Sequence, residues 1–305
     1  LDPERTWSEW GLRPRSSARP AAAPPLPRSA EVAQALALAT VQAKLCATFD
    51  VRYGEDTHTR ALPLGITTWN DNACIYVGIH LRVGAGSELR IGSGTTVLFA
   101  AGGRGALLVL GGRLAVNGSV AAPAIFDVQA ADRNAKWHGI AIAGFFSTAR
   151  IQHAVIRNTG GGTRTLDVGE FHHPNAVAAL HCGEGAHVEL LDVIITDGRG
   201  QGITVLGGLG GRGARASATH VVIRRCHIAR FRLGIEMHNA TAAILDSVLE
   251  SFGDARTFAD DDNDALYIAG GEVAIQNCTV ANAGDDCIDA GSGWGGRLWI
   301  DRTVV

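Results

Sequence analysis

Ile151-Gln152-His153-Ala154-Val155-Ile156 is a six-residue phrase, apolar-x-x-small-x-apolar, and its recurrence decides the fold. Further copies are Leu190/Val193/Ile195, Ile223/Cys226/Ile228, Ile244/Ser247/Leu249, Ile275/Cys278/Val280 and Ile300/Thr303/Val305. They follow at intervals of 39, 33, 21, 31 and 25 residues. A second phrase precedes each copy: Ile140/Ile142, Val177/Ala179, Ile203/Val205, Ile235/Met237, Leu266/Ile268 and Ile288/Ala290. Alternation of this kind marks half-buried strands. A constant phrase at variable intervals describes a coil of about 21–25 residues with insertions at set corners. No single coil can bury its apolar side alone, so the coils must stack. The expected fold is all-β, a right-handed parallel β-helix.

Upstream, from about residue 80, short apolar alternations such as Leu81/Val83, Leu89/Ile91 and Leu114/Val116 are punctuated by glycines. Further upstream the pattern changes. Ser29 suits a helix cap, and Val32, Leu36, Ala39 and Ala43 share one helical face. Residues 29–46 are therefore expected to form a helix that caps the open end of the solenoid. Residues 1–28 hold most of the nine prolines and read as an extended arm. The solenoid is expected over 47–305. Because Leu1 is not Met and Val305 closes the sixth phrase, the chain is expected to be a piece of something longer.

Composition narrows the class. There are 39 glycines in 305 residues, against a usual share of about 7%. No Gly-X-Y period exists, and no run of 18 apolar residues, so neither collagen nor a membrane-spanning helix is expected. The glycines instead suit tight corners. A net charge of −3 gives no reason to expect nucleic acid as a partner.

The stretches 137–142, 149–158 and 83–99 resemble the repeat vocabulary of secreted and surface-anchored parallel β-helix proteins of the pectin-lyase-like type. The resemblance spans about residues 80–305 and implies a fold and an extracellular or cell-surface location. It does not imply one function, since such columns carry enzymes, adhesins and plain stalks alike.

Six cysteines then invite a disulfide reading. Cys226 and Cys278 share a phrase position two coils apart, about 10 Å, which is beyond bridging distance. They are expected as free interior thiols. Cys46 and Cys74 flank the irregular N-terminal segment, where a bridge would staple it. Cys182 and Cys287 stay unassigned.

An acidic run is the foremost candidate site. Residues 254–289 hold nine carboxylates against Arg256 alone. Asp264 and Asp286 each stand two residues before an apolar phrase, so they should stack about 4.8 Å apart in adjacent coils. With Asp260, Asp261, Asp262 and Asp285 they form an oxygen-rich corner suited to Ca²⁺. The alternative is an acidic turn facing water. "Asp262-Asn263-Asp264" and "Gly284-Asp285-Asp286-Cys287" also resemble the paired motifs of polygalacturonase-type hydrolases. That resemblance implies Asp264, Asp285 and Asp286 as acids acting on a glycosidic bond. The Asn sits one place off the pattern, and that family's later His and Arg-x-Lys would fall beyond Val305. "Thr196-Asp197-Gly198-Arg199-Gly200" and "Trp299-Ile300-Asp301" resemble pectate lyases, with Arg302 where a His is expected.

Between 199 and 232 seven arginines, among them Arg212, Arg215, Arg224 and Arg225, run without an acid. They either pair with the neighbouring acidic coils or face an acidic polysaccharide. His172-His173, near Asp167 and Glu170, is a weaker metal-ligand candidate. Sequons at Asn117 and Asn239 mark glycosylation candidates, Asn239 the stronger because it should end a strand at a turn.

Two functions follow. The first is a non-catalytic structural or adhesive module of a larger surface assembly, with glycan or Ca²⁺ as ligand. Its partners would be other extracellular chains or the rest of its own chain. The second is a polysaccharide hydrolase or lyase on the same column.

Overall fold

A computed structural model describes residues 29–46, 48–54, 59–130, 132, 134–162, 177–207, 219–253, 263–291 and 296–305. The Pro-rich segment 1–28 lies outside the described residues, as do the three insertions at 163–176, 208–218 and 254–262.

The described strands form a parallel β-helix of nine coils, every named strand pairing being parallel. Each coil contributes one strand to each of three faces. The first face runs from Val51–Tyr53 through Cys74–Val77 and Thr96–Phe99 to Thr279–Ala281. The second runs from Thr59–Ala61 through His80–Gly84 to Asp289–Ala290. The third runs from Gly65–Trp69 through Ser87–Ile91 to Gly296–Asp301. Strands begin at Val51, well before the first clear alternation in the sequence.

The phrases stack in register. Ile151 pairs with Leu190, Leu190 with Ile223, Ile223 with Ile244, Ile244 with Ile275 and Ile275 with Ile300. The apolar side chains of the first five copies fill one continuous core, whereas Ile300 and Val305 of the sixth are exposed. One second phrase is corrected: Ile140 and Ile142 pair with Leu180 and Cys182, three residues beyond Val177/Ala179. Both alternatives alternate equally well, and the 163–176 insertion hides the count.

The third position of all six phrases is left-handed: His153, Asp192, Arg225, Asp246, Asn277 and Arg302, with φ between 47° and 55°. This residue bends the third face into the first. A second left-handed ladder, Asn158, Asp197, Arg230, Ser251 and Asn282, turns the first face into the second. Asn and Asp adopt this conformation at least cost among side-chain-bearing residues. The arginines and His153 are held there by the coils stacked against them.

Ser29–Leu45 is helical, but it does not cap the column. It lies along the outside of the first face, with Ala39 packed on Ile125 and Val155 and with Ala35, Leu36 and Ile194 alongside. Seventeen residues of helix extend about 25 Å, enough to span about five strand spacings. Ile125, Val155 and Ile194 are outward aliphatics on three successive coils, and covering them is what holds the helix there. Cys46 and Cys74 are bridged, with Cα atoms 5.7 Å apart, which ties the end of the helical segment to the second coil. Thr40 Oγ1 accepts a bond from Arg157 Nη1 at 2.8 Å in the fifth coil.

Cys182, Cys226, Cys278 and Cys287 are free thiols, the first three buried. Burial pushes the Cys226 thiol up to about 12 and the Cys278 thiol up to about 11. Both are therefore expected to resist iodoacetamide in the folded protein at about pH 8, near a free thiol's pKa, and to react fully in guanidinium. Mass spectrometry counts the adducts. Rapid labelling of either thiol in the native state would show that the interior stack opens.

Candidate functional site

Outward positions of the second face line up by register into a file: Ala141, His181, Thr204, Glu236, Tyr267 and Asp289. All of these but Ala141 carry groups able to exchange protons or bind polar ligands. His181 Nδ1 lies 2.6 Å from Thr204 Oγ1. Glu236 is fully buried at 0% exposure. One of its oxygens accepts from Gln201 Nε2, and Oε1 lies 2.6 Å from His238 Nε2. The His238 ring stands 5.8 Å from that of Tyr267. A carboxylate taken out of water requires such partners.

At the entry edge of the same face lies the acidic corner. Asp264 is only 1% exposed, while Asp285 and Asp286 are exposed. Asp264 Oδ1 accepts the Asp286 N–H at 3.1 Å, and Ala265 N–H donates to the Asp286 carbonyl at 3.0 Å. Each of the three carboxylates offers an oxygen, and these oxygens lie within 4.8 Å of one another. Next to them Asn263 is buried, and its Oδ1 has no hydrogen-bond partner among the described residues. The arrangement comes from the local fold. Asp264 and Asp286 precede equivalent second-face strands in successive coils, so the ladder spacing sets their separation. Asp260, Asp261 and Asp262 lie outside the described residues, as do Arg212, Arg215, His172 and His173.

Two arginines of the belt are bound up within the column. Arg225 makes a two-point contact to Asp192 at 2.8 and 2.7 Å, and Arg230 one to Asp197 at 2.6 and 2.8 Å. Both acids lie one coil upstream, so for these two arginines the expected pairing with the 254–289 carboxylates is corrected. Each pair joins left-handed corner residues of neighbouring coils, which brings the side chains into contact. Burial opposes ionisation of Asp197, but the hydrogen bonds and charge of Arg230 prevail and hold its carboxyl below the ordinary range. Arg224 is half-buried, and its buried Nε has no hydrogen-bond partner among the described residues.

A groove of about 670 Å³ on the third face is lined by Glu88, Arg113, Arg150, His187, Glu189 and His220, among others. Its charges are largely matched: Arg150 sits 3.3 Å from Glu189, and Glu88 takes Arg90 at 2.6 Å. The His187 and His220 rings stack at 4.8 Å. Burial, and then the neighbouring His187, hold His220 below the usual histidine range.

No protein-family model, curated protein or solved structure matches the chain.

The strand-ending position expected of Asn239 falls to Asn117 instead. Asn117 is exposed at the end of Arg113–Asn117. Asn239 is half-buried at a left-handed kink, φ 48°, inside the continuous strand Leu233–Leu245. Among the described residues no helix is long and apolar enough to cross a membrane.

The buried file around Glu236 was not singled out from the sequence. A signal existed: the middle residue of each second phrase changes from Ala141 to His181, Thr204, Glu236 and Tyr267 down the column.

Proposed function

We propose that this chain is a non-catalytic structural and adhesive module of an extracellular surface assembly, and that its acidic corner takes up Ca²⁺. One observation carries the reading: oxygens of Asp264, Asp285 and Asp286 lie within 4.8 Å of one another. Ca²⁺ holds its oxygens at about 2.3–2.6 Å, so ligands of one ion stand at most about 4.6–5.2 Å apart. Three carboxylates this close repel unless a cation or proton is shared. The Cys46–Cys74 bridge supports an oxidising, extracellular setting. Bound Ca²⁺ with open positions would also provide a contact for an anionic glycan, a role the paired arginines Arg225 and Arg230 are poorly free to fill.

The hydrolase alternative keeps Asp264, Asp285 and Asp286 as its acids.

Thermal unfolding of the full chain in CaCl₂ and in EDTA tests the proposal. Ca²⁺ is expected to raise Tm by mass action, by about 2.7 kcal/mol of stabilisation at a hundredfold excess over Kd. Asp264→Asn and Asp286→Asn should abolish the shift. An unchanged Tm, or a shift that survives both substitutions, overturns the Ca²⁺ site. Release of products from uronic-acid polymers, lost in the same variants, would replace the module reading with the enzyme.

A further inference from the structure

Lys136 precedes Trp137 on the way into the second face of the fourth coil. Its ammonium donates to Asn158 Oδ1 at 3.0 Å and to the Asp197 carbonyl at 2.7 Å. Asn158 is the left-handed corner residue of the next coil, φ 58°. Its Nδ2 donates to Asp127 Oδ1 at 2.8 Å. Asp127 is buried, and its other oxygen is gripped by Arg157 Nε at 2.8 Å and Nη2 at 2.7 Å. An amine, a carboxamide and a carboxylate thus stand in one hydrogen-bonded line.

The scaffold around them is fixed on both sides. Trp137 N–H donates to the Asn158 carbonyl at 3.0 Å, and Trp137 Nε1 to the Arg157 carbonyl at 2.7 Å. Reacting groups held in this way avoid the entropy cost of encounter.

We propose that Lys136 Nζ and Asn158 Cγ condense to an intramolecular amide that covalently joins the fourth coil to the fifth. The free amine attacks Cγ, and the Nζ–Cγ bond forms. The proton shed by Nζ passes to the Asp127 carboxylate. Asp127 returns a proton to Nδ2, to which it is already hydrogen-bonded. The Cγ–Nδ2 bond then breaks and ammonia leaves. Asp127 ends as it began, and no oxidant or cofactor enters. Asp127 is a proton carrier here, and Arg157 is a positioning residue that orients its carboxylate.

Burial lowers the pKa of Lys136, with Arg199 working the same way and the charges of Asp197 and Asp127 working against it. Lysine nucleophiles depend on such desolvation. The step needs none of the acidic-corner residues, so it stands or falls separately from Ca²⁺ binding.

Intact-mass measurement of the purified full chain tests it. With the Cys46–Cys74 bridge reduced, the expected mass is lighter than the sequence mass by one ammonia. Trypsin should no longer cut after Lys136, and fragmentation should show one branched peptide joining Lys136 to Asn158. Lys136→Arg keeps the cation but removes the nucleophile, and should restore the full mass. Asp127→Asn should leave most molecules uncoupled. If that variant fails to fold, the Lys136→Arg comparison decides alone. A wild-type chain that keeps its full mass after prolonged incubation and yields linear peptides on both sides overturns the proposal. So does an ammonia loss that persists in Lys136→Arg.

Discussion

Trp137→Ala is expected to lower stability by about 3–5 kcal/mol, the range for emptying a buried aromatic site. Trp137 is fully buried, and its ring stacks on Phe99 of the third coil at 3.9 Å with planes 7° apart. Its indole N–H satisfies the Arg157 carbonyl at the end of the next first-face strand. One side chain therefore joins three successive coils. Trp137→Phe keeps most of the packing but leaves that carbonyl without its donor, which should cost about 1–3 kcal/mol. Urea unfolding gives the order wild type, Phe, Ala. Hydrogen exchange should place the loss first in coils three to five, because each coil of a stacked column contacts only its neighbours. Equal midpoints for Ala and Phe would show that the bond matters more than the ring.

Glu236→Ala should be nearly as severe, about 3–5 kcal/mol, because removing one partner of a buried charged cluster leaves the others unmatched. Gln201 Nε2 and His238 Nε2 both lose their acceptor in that variant. Glu236→Gln retains an acceptor oxygen of the same shape and should lose less. If the second face is a structural file, both variants lose stability together with order in the Glu236–Tyr267 region, and Ca²⁺ binding persists. A Gln variant as stable as wild type that no longer binds glycan would make Glu236 a ligand-contacting group.

Much of the column was legible because its periodicity lies in the chain itself. Ile151, Leu190, Ile223 and Ile244 announce their register directly, and the residue two places later is the left-handed corner each time. The helix was legible as a helix, but its docking place was not. Ala35 and Ala39 can pack against almost any surface. The address was written elsewhere, in Ile125, Val155 and Ile194, aliphatics at positions that should face water. The Asp264–Asp286 contact followed from spacing, since it needs only the coil length. The Glu236 cluster did not, because Gln201 reaches Glu236 from another column of the preceding coil. The partners of Arg225 and Arg230 were missed for a related reason: the nearest acids in space lie upstream in the chain, not in the conspicuous acidic run.

The corner ladder reads His153, Asp192, Arg225, Asp246, Asn277, Arg302. Asp192 and Asp246 have Arg225 between them, and Asn277 Nδ2 donates to Asp246 Oδ1 at 3.1 Å. A strand that mispaired by one coil while the chain was winding would bring aspartate against aspartate, or arginine against asparagine in place of its acid. The apolar phrases are nearly interchangeable and would tolerate that slip. The corners would lose the Asp192–Arg225 and Asp246–Asn277 contacts, which weights the native order of identical-looking turns over a slipped one.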